Sequence, residues 1–383
     1  MAYQLPQKVL DYLNDSHQEM LDLLEELCQI PAPSGKEQLR VEFCKKWFDD
    51  NGIKNAYVDE ALNVIVPYNC ENKNDIVVFM AHTDVVFPDL TPLPLKKDGD
   101  IWACPGIGDD TVCLILMMMV IKYIVKNNLT ADRGILFVAN SCEEGLGNLK
   151  GSRQIMKDFA GRITEFYTFD GGYRHLVNKC VGSHRYEVEF ETKGGHSFGA
   201  FGNENAIAVM SKLITQLYAC QVPVKENTKT TYNVGIVEGG TSVNTIAQNA
   251  KMLYEYRSDD VECLAIMKNF FNEKIEEAQK NPKAKITVKL LGERPCEKDV
   301  DYEKLKQMTD DIVEISQKHS GLPCRIDSGS TDANIPMSLG VPAVCVGSYE
   351  GGGAHTREEY IKISSLPTGY KITAETILRF FNA

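Results

Sequence analysis

Five short segments carry the side chains that could do chemistry. They are AHTDVV with His82 and Asp84, GIGDDT with Asp109 and Asp110, NSCEEG with Glu143 and Glu144, FDGG with Asp170, and GGGAHT with His355. Each has an ordinary explanation when taken alone. Acidic doublets recur at Asp49-Asp50, Glu276-Glu277, Asp310-Asp311 and Glu358-Glu359, where they read as solvated helix faces, and a lone histidine is more often a surface residue than a ligand. Position changes the reading. The segments follow runs that read as buried strands, or open a helix, so their imidazoles and carboxylates would reach one rim of one sheet. Carboxylates converging there repel one another and resist ionisation. A pair of cations relieves that repulsion, and two imidazoles with several carboxylates suit zinc, with cobalt or manganese as substitutes. Other chemistries lack their signatures: there is no HExxH helix, no GxSxG elbow and no cysteine in a nucleophile motif.

The elements that must position these groups are legible as texture. Residues 75–81 (DIVVFMA), 135–140 (ILFVAN) and 166–169 (FYTF) are continuous apolar runs, as strands buried on both faces require. Residues 111–126 read as a buried helix, 342–346 as a further strand and 374–381 as a final helix. Alternating strands and helices predict an α/β fold, a mostly parallel sheet flanked by helices, with ligands at the carboxyl ends of its strands. The texture changes near Val181. Residues 185–192 (RYEVEFET) alternate polar and apolar, and a helix follows with Ile207, Met210, Leu213, Ile214 and Leu217 on one stripe. Strands at 232–237 and 251–256, a helix at 260–279 and a strand at 285–291 complete an inserted α+β domain. The expected division is therefore 1–180 with 295–383, and 181–294 between them.

Bulk properties narrow the function. A chain of 383 residues exceeds one ordinary core. Its net charge of −12 argues against nucleic acid or an anionic membrane as partner, because both need basic patches. The first residues lack the basic and apolar regions of a secretory signal, and the most apolar run, 112–125, is too short to span a bilayer and is interrupted by Lys122 and Tyr123. Twelve cysteines are scattered singly with no CxxC pair, which fits reduced thiols and a cytoplasmic location.

HTDVV, GDD, EEG, FDGG and the late GGGAHTREEY resemble the co-catalytic zinc exopeptidases and amidohydrolases. That group includes peptidase T, glutamate carboxypeptidase, the cytosolic dipeptidases, aminoacylase and succinyl-diaminopimelate desuccinylase. The resemblance extends through the insertion, where GGHSFGAFGNENAI, GGTSVNTIA and YEYRSDD look like that family's lid and dimerisation domain. It implies two Zn²⁺ ions per chain: His82 and Asp170 on one, Glu144 and His355 on the other, and Asp109 bridging them through a cis peptide to Asp110. Asp84 would orient His82, and Glu143 would be the general base. His196 would donate to the oxyanion from across a homodimer built through the lid helix near 204–219 or an edge strand. Asn244 and Arg257 would hold substrate, Arg257 by a fork to a carboxylate. Simpler roles for these three are a turn cap for His196, a left-handed backbone position for Asn244 and a pair with Asp259 or Asp260 for Arg257. Where the family often has a basic residue two positions after the bridging aspartate, this chain has Thr111.

EEGLGNLKG and FDGG look most like the peptidase T branch, which implies an aminopeptidase acting on di- or tripeptides. The alternatives are an N-acyl-amino-acid amidohydrolase or a carboxypeptidase on the same scaffold, and, in a different class, a non-catalytic metal-binding dimer.

Overall fold

The structure is a computed structural model and describes residues 3–382. The chain forms two compact units, one from the residues up to Cys180 together with those from Glu297 onward, the other from Val181–Cys296.

The first unit is the α/β fold expected. Its eight-stranded sheet runs Tyr57–Val58, Val64–Tyr68, Gly134–Asn140, Ile76–His82, Ile163–Phe169, Ala343–Val346, His175–Cys180, Arg325–Gly329. The central four strands, from Gly134–Asn140 to Ala343–Val346, are mutually parallel. Every residue of Ile76–His82 and of Gly134–Asn140 is buried, the consequence of packing on both faces. Phe79 stacks on Phe137, Tyr167 and Phe169 at 5.7, 5.3 and 6.2 Å, tying three adjacent strands together. Replacing it by alanine would cost about 3–5 kcal/mol. The helix Cys113–Lys126 is buried along nearly its whole length, which explains its all-round apolar sequence.

The final helix departs from expectation. It spans Leu366–Leu378 rather than 374–381. Pro367 and Gly369 look like helix breakers, but proline is tolerated in a first turn, where its missing N–H has no partner to lose. Gly369 is required there, since a Cβ would lie 1.5 Å from the Ser348 carbonyl oxygen.

The inserted unit is α+β, with its own core. Four antiparallel strands run in the order Thr230–Gly239, Asn249–Ser258, Gly182–Thr192, Ala284–Arg294. Strict alternation of burial along Asn249–Ser258 shows one covered face. The helices Ala206–Tyr218 and Val261–Gln279 supply the core residues Met210, Leu213, Leu217, Met267 and Phe271. Ile207 is instead turned outward, 38% exposed. Asn205 and Asp260 start these helices by accepting from Ile207 and Cys263 backbone N–H groups at 2.9 and 2.8 Å.

Candidate metal centre

The parallel strands deliver the chemistry to one rim. His82 is the last residue of Ile76–His82 and pairs in register with Asn140, the last of Gly134–Asn140. Glu143 and Glu144 follow Asn140 by a few residues, and Asp170 follows Phe169, whose partner is Val346. His355 arrives on the loop beyond Ala343–Val346, and Asp109 just before the buried helix, with its peptide bond to Asp110 in the cis form.

These side chains converge. Ligand atoms of His82, Asp109 and Asp170 lie within 4.8 Å of one another, as do those of Asp109, Glu144 and His355, and of His82, Glu143 and Glu144. Asp109 belongs to two groups because its oxygens face different imidazoles. Oδ1 is 3.0 Å from His82 Nε2, and Oδ2 is 3.2 Å from His355 Nε2. His355 Nε2 is also 3.2 Å from Glu144 Oε1, an oxygen that is buried and makes no aligned hydrogen bond. His82 Nδ1 lies 3.0 Å from the Asp84 backbone carbonyl, closer than the 3.5 Å to its carboxylate. Donation there leaves Nε2 as the lone-pair nitrogen, the tautomer a metal ligand needs.

Charge in this cluster is unbalanced. Burial pushes Asp170 well above the carboxylate range, with repulsion from Asp109 and Asp110 adding to it. Burial likewise lifts Glu144 to about 7. Against the cost of burial, His355 and His82 hold Asp109 below its ordinary value. The closeness of Asp109 and Glu144 drives His355 up to about 10. Carboxylates that resist ionisation beside imidazoles that hold protons are what two divalent cations would relieve, and the donor set of two His and three carboxylates fits them.

Other segments fix the loops. Asp84 accepts from the Glu143 and Glu144 backbone N–H groups at 2.9 Å each and from Ser34 Oγ at 2.7 Å. It therefore ties the His82 loop to the Glu143–Glu144 loop as well as facing His82. Glu359, expected on a solvated face, is 1% exposed and accepts from the backbone of Gly106, Gly108 and Asp109 at 3.1, 2.8 and 2.8 Å. A buried acid and a solvated one look alike in a charged doublet. Glu37 accepts from Cys142 N at 3.1 Å, holding the left-handed residue (φ 57°) that precedes Glu143. Asp332 accepts from Asn140 Nδ2 at 2.6 Å.

Arg40 is the residue with no signal in the sequence. Fully buried, it donates to Ile30 O at 2.8 Å, Thr83 O at 3.1 Å and Thr111 Oγ1 at 2.9 Å. Thr111, two positions after Asp109, thus receives a positive charge from another helix, Gln38–Asp50.

The lid candidates lie in the inserted unit. His196 pairs with Thr245 across a short ladder, and its Nδ1 accepts from the Phe198 and Gly199 backbone N–H groups at 3.3 and 3.2 Å, so it does cap a turn. Asn244 adjoins it, with its carbonyl accepting from Ser197 N at 2.9 Å; it does not occupy a left-handed position. Arg257 is not brought to them. It sits opposite Ser183, at the other end of the sheet, and its guanidinium forks onto Glu255 at 3.0 and 3.1 Å rather than onto Asp259 or Asp260.

No helix among the described residues is long and apolar enough to cross a membrane. The chain is 25% identical to the Bacillus subtilis protein YqjE over 374 residues, 90% of this chain and 94% of that one. A tripeptidase from Staphylococcus aureus superposes with a TM-score of 0.72 at 23% identity, covering 95% of this chain and 98% of that one. The aminopeptidase PepT from Bacillus cereus does so with 0.71 at 20% identity, over the same shares. The model of Peptidase family M20/M25/M40 matches residues 78–379, which take in all five ligand-bearing segments, and the chain belongs to that family.

Proposed function

We propose that the protein is a metal-dependent aminopeptidase that hydrolyses di- and tripeptides with two zinc ions, for which cobalt or manganese can substitute. The observation that carries this reading is Asp109, whose two oxygens face His82 and His355 separately and so join two ligand groups. His82 and Asp170 would hold one cation, Glu144 and His355 the other, with Asp109 between them. The bound cations would acidify the attacking water and polarise the scissile carbonyl.

The chain's own groups do the rest. Glu143 takes the proton of the attacking water and returns it to the leaving amine. Asp84 keeps it in place through the Glu143 backbone N–H. Because His196 Nδ1 accepts two backbone N–H groups, its proton sits on Nε2, ready to donate to the oxyanion. We place that donation across a homodimer. Phe198, Phe201 and Val243 around His196 and Asn244 are 90, 91 and 102% exposed, an apolar patch suited to a second copy of the chain. The cysteines are free, which supports a reducing, cytoplasmic compartment.

Metal content per chain, for wild type and His355→Ala, tests the centre: near two ions falling in the variant is expected. Tripeptides with free and acetylated amino termini, assayed beside N-acetyl amino acids, test the substrate. Faster turnover of the acetylated compounds would replace the aminopeptidase by an amidohydrolase, and indifference to the amino terminus by a carboxypeptidase. Absence of metal after purification with zinc supplied would end the enzymatic reading.

A further inference from the structure

A cleft of about 520 Å³ opens in the sheet unit between the loop that follows Asp170 and the loop that precedes His355. Gly171 and Gly172 line it on one segment and Gly351, Gly352 and Gly353 on another, together with Tyr349 and Tyr360. Along the chain, Gly171 directly follows Asp170 and Ala354 directly precedes His355. A substrate held at those two ligands would have this space next in line for a neighbouring residue.

The charges in the cleft are unequal in availability. Lys362 lies 3.5 Å from Glu350, which offsets it. His175 is taken up by Asp327 at 2.7 Å, which also receives Arg325 at 3.2 Å. Arg174 is exposed and makes no ion pair among the described residues. Arg257, by contrast, already has its fork filled by Glu255. An unpaired guanidinium in a cleft is a receptor for a planar anion, since its parallel N–H groups match a carboxylate.

We propose that this cleft is a substrate subsite in which Arg174 binds a carboxylate of the peptide, so that the enzyme selects substrates carrying an acid at that place. The inference rests on the peptidase reading above and deepens it. Two sources supply the same chemistry: an acidic side chain, or the carboxyl terminus of a short peptide.

The test uses the zinc-loaded full chain and tripeptides of alanine carrying Glu or Gln at each position in turn, with Ala-Ala-Ala as free acid and as amide. The readout is a ratio of kcat/KM, which a general loss of folding or metal does not move. In wild type the Glu/Gln ratio at one position, or the acid/amide ratio, is expected near ten, the worth of one charge-assisted hydrogen bond. Arg174→Met should bring that ratio to about one and Arg174→Lys should restore part of it. Loss of the Glu/Gln preference assigns the cleft to a side chain, and loss of the acid/amide preference assigns it to the terminus. If Arg174→Met leaves both ratios within twofold of wild type, the subsite is wrong. If no peptide is cleaved at all, the peptidase reading fails separately. Calorimetric binding of the same peptides then gives the ratios, with the same two outcomes for Arg174.

Discussion

In the sheet unit, His82, Glu143 and Glu144 are buried, Asp84 and Glu37 tie the loops bearing them, and Glu359 ties the loop that bears Asp109. In the inserted unit, His196 and Asn244 stand exposed, held by bonds within their turns and by the short ladder and the Ser197 N–H that join the two segments. The first arrangement is preorganised: its geometry is set before any ligand arrives, at the cost of crowding like charges. The second is held by backbone hydrogen bonds of its own unit, with the Phe198 and Phe201 rings bare beside it. A buried, interlocked cluster and an exposed one thus occur in one chain, and they should respond differently to perturbation.

The largest expected difference is at Glu143. Glu143→Gln should lower kcat by about 10²–10⁴ with bound metal retained, as removal of a general base does. Steady-state kinetics with elemental analysis checks this, and loss of metal together with activity would move Glu143 into the ligand set, where its third cluster with His82 and Glu144 would place it. Next, free zinc at about 100 times its Kd should stabilise the sheet unit by about 2.7 kcal/mol and leave the inserted unit unchanged. Amide exchange resolves the two, and equal protection in both would dissolve the contrast between the units. Glu359→Ala frees three backbone N–H groups around Asp109 and should weaken metal binding about 10–100-fold in a chelator competition. Asn244→Ala should leave that affinity alone.

The smallest effect is one of pH, away from both sites. Glu375 is 3% exposed and accepts from Lys318 at 2.8 Å and from His319 at 2.6 Å. Against the cost of burial, these partners hold its carboxyl below the ordinary glutamate value. A depressed pKa means the folded chain binds fewer protons than the unfolded one. The stability from this contact is therefore complete above the ordinary glutamate pKa and is lost as pH falls through the folded value. Glu375→Gln should cost about 1.5 kcal/mol at pH 7, and denaturant titrations should show the gap between variant and wild type closing in acid.

Much of this was readable from local pattern. Unbroken apolar runs over Ile76–His82 and Gly134–Asn140 announce strands covered on both faces, and the first polar residues after such runs must emerge at the carboxyl rim. That rule alone brings His82, Glu143, Glu144 and Asp170 to one place. Alternation along Asn249–Ser258 announces a one-sided sheet and marks the insertion as a different texture. Periodicity and burial are properties of consecutive residues, and the sequence displays them directly.

What tertiary structure decided is which buried polar groups find each other. Arg40 reaches Thr111, 71 positions away, and Glu359 reaches Asp109 across 250. Neither pairing leaves a periodic trace, because the demand for a partner arises only after the sheet has closed and stranded particular N–H groups and carbonyls away from water. The start of the last helix at Leu366 belongs to the same class: Gly369 is needed there because the Ser348 carbonyl, distant in sequence, presses against it. Sequence by itself determined the strands and the rim to which they carry their acids and imidazoles. The structure determined how those groups are held, since hydrogen bonds between remote segments are settled by proximity in space rather than by order along the chain.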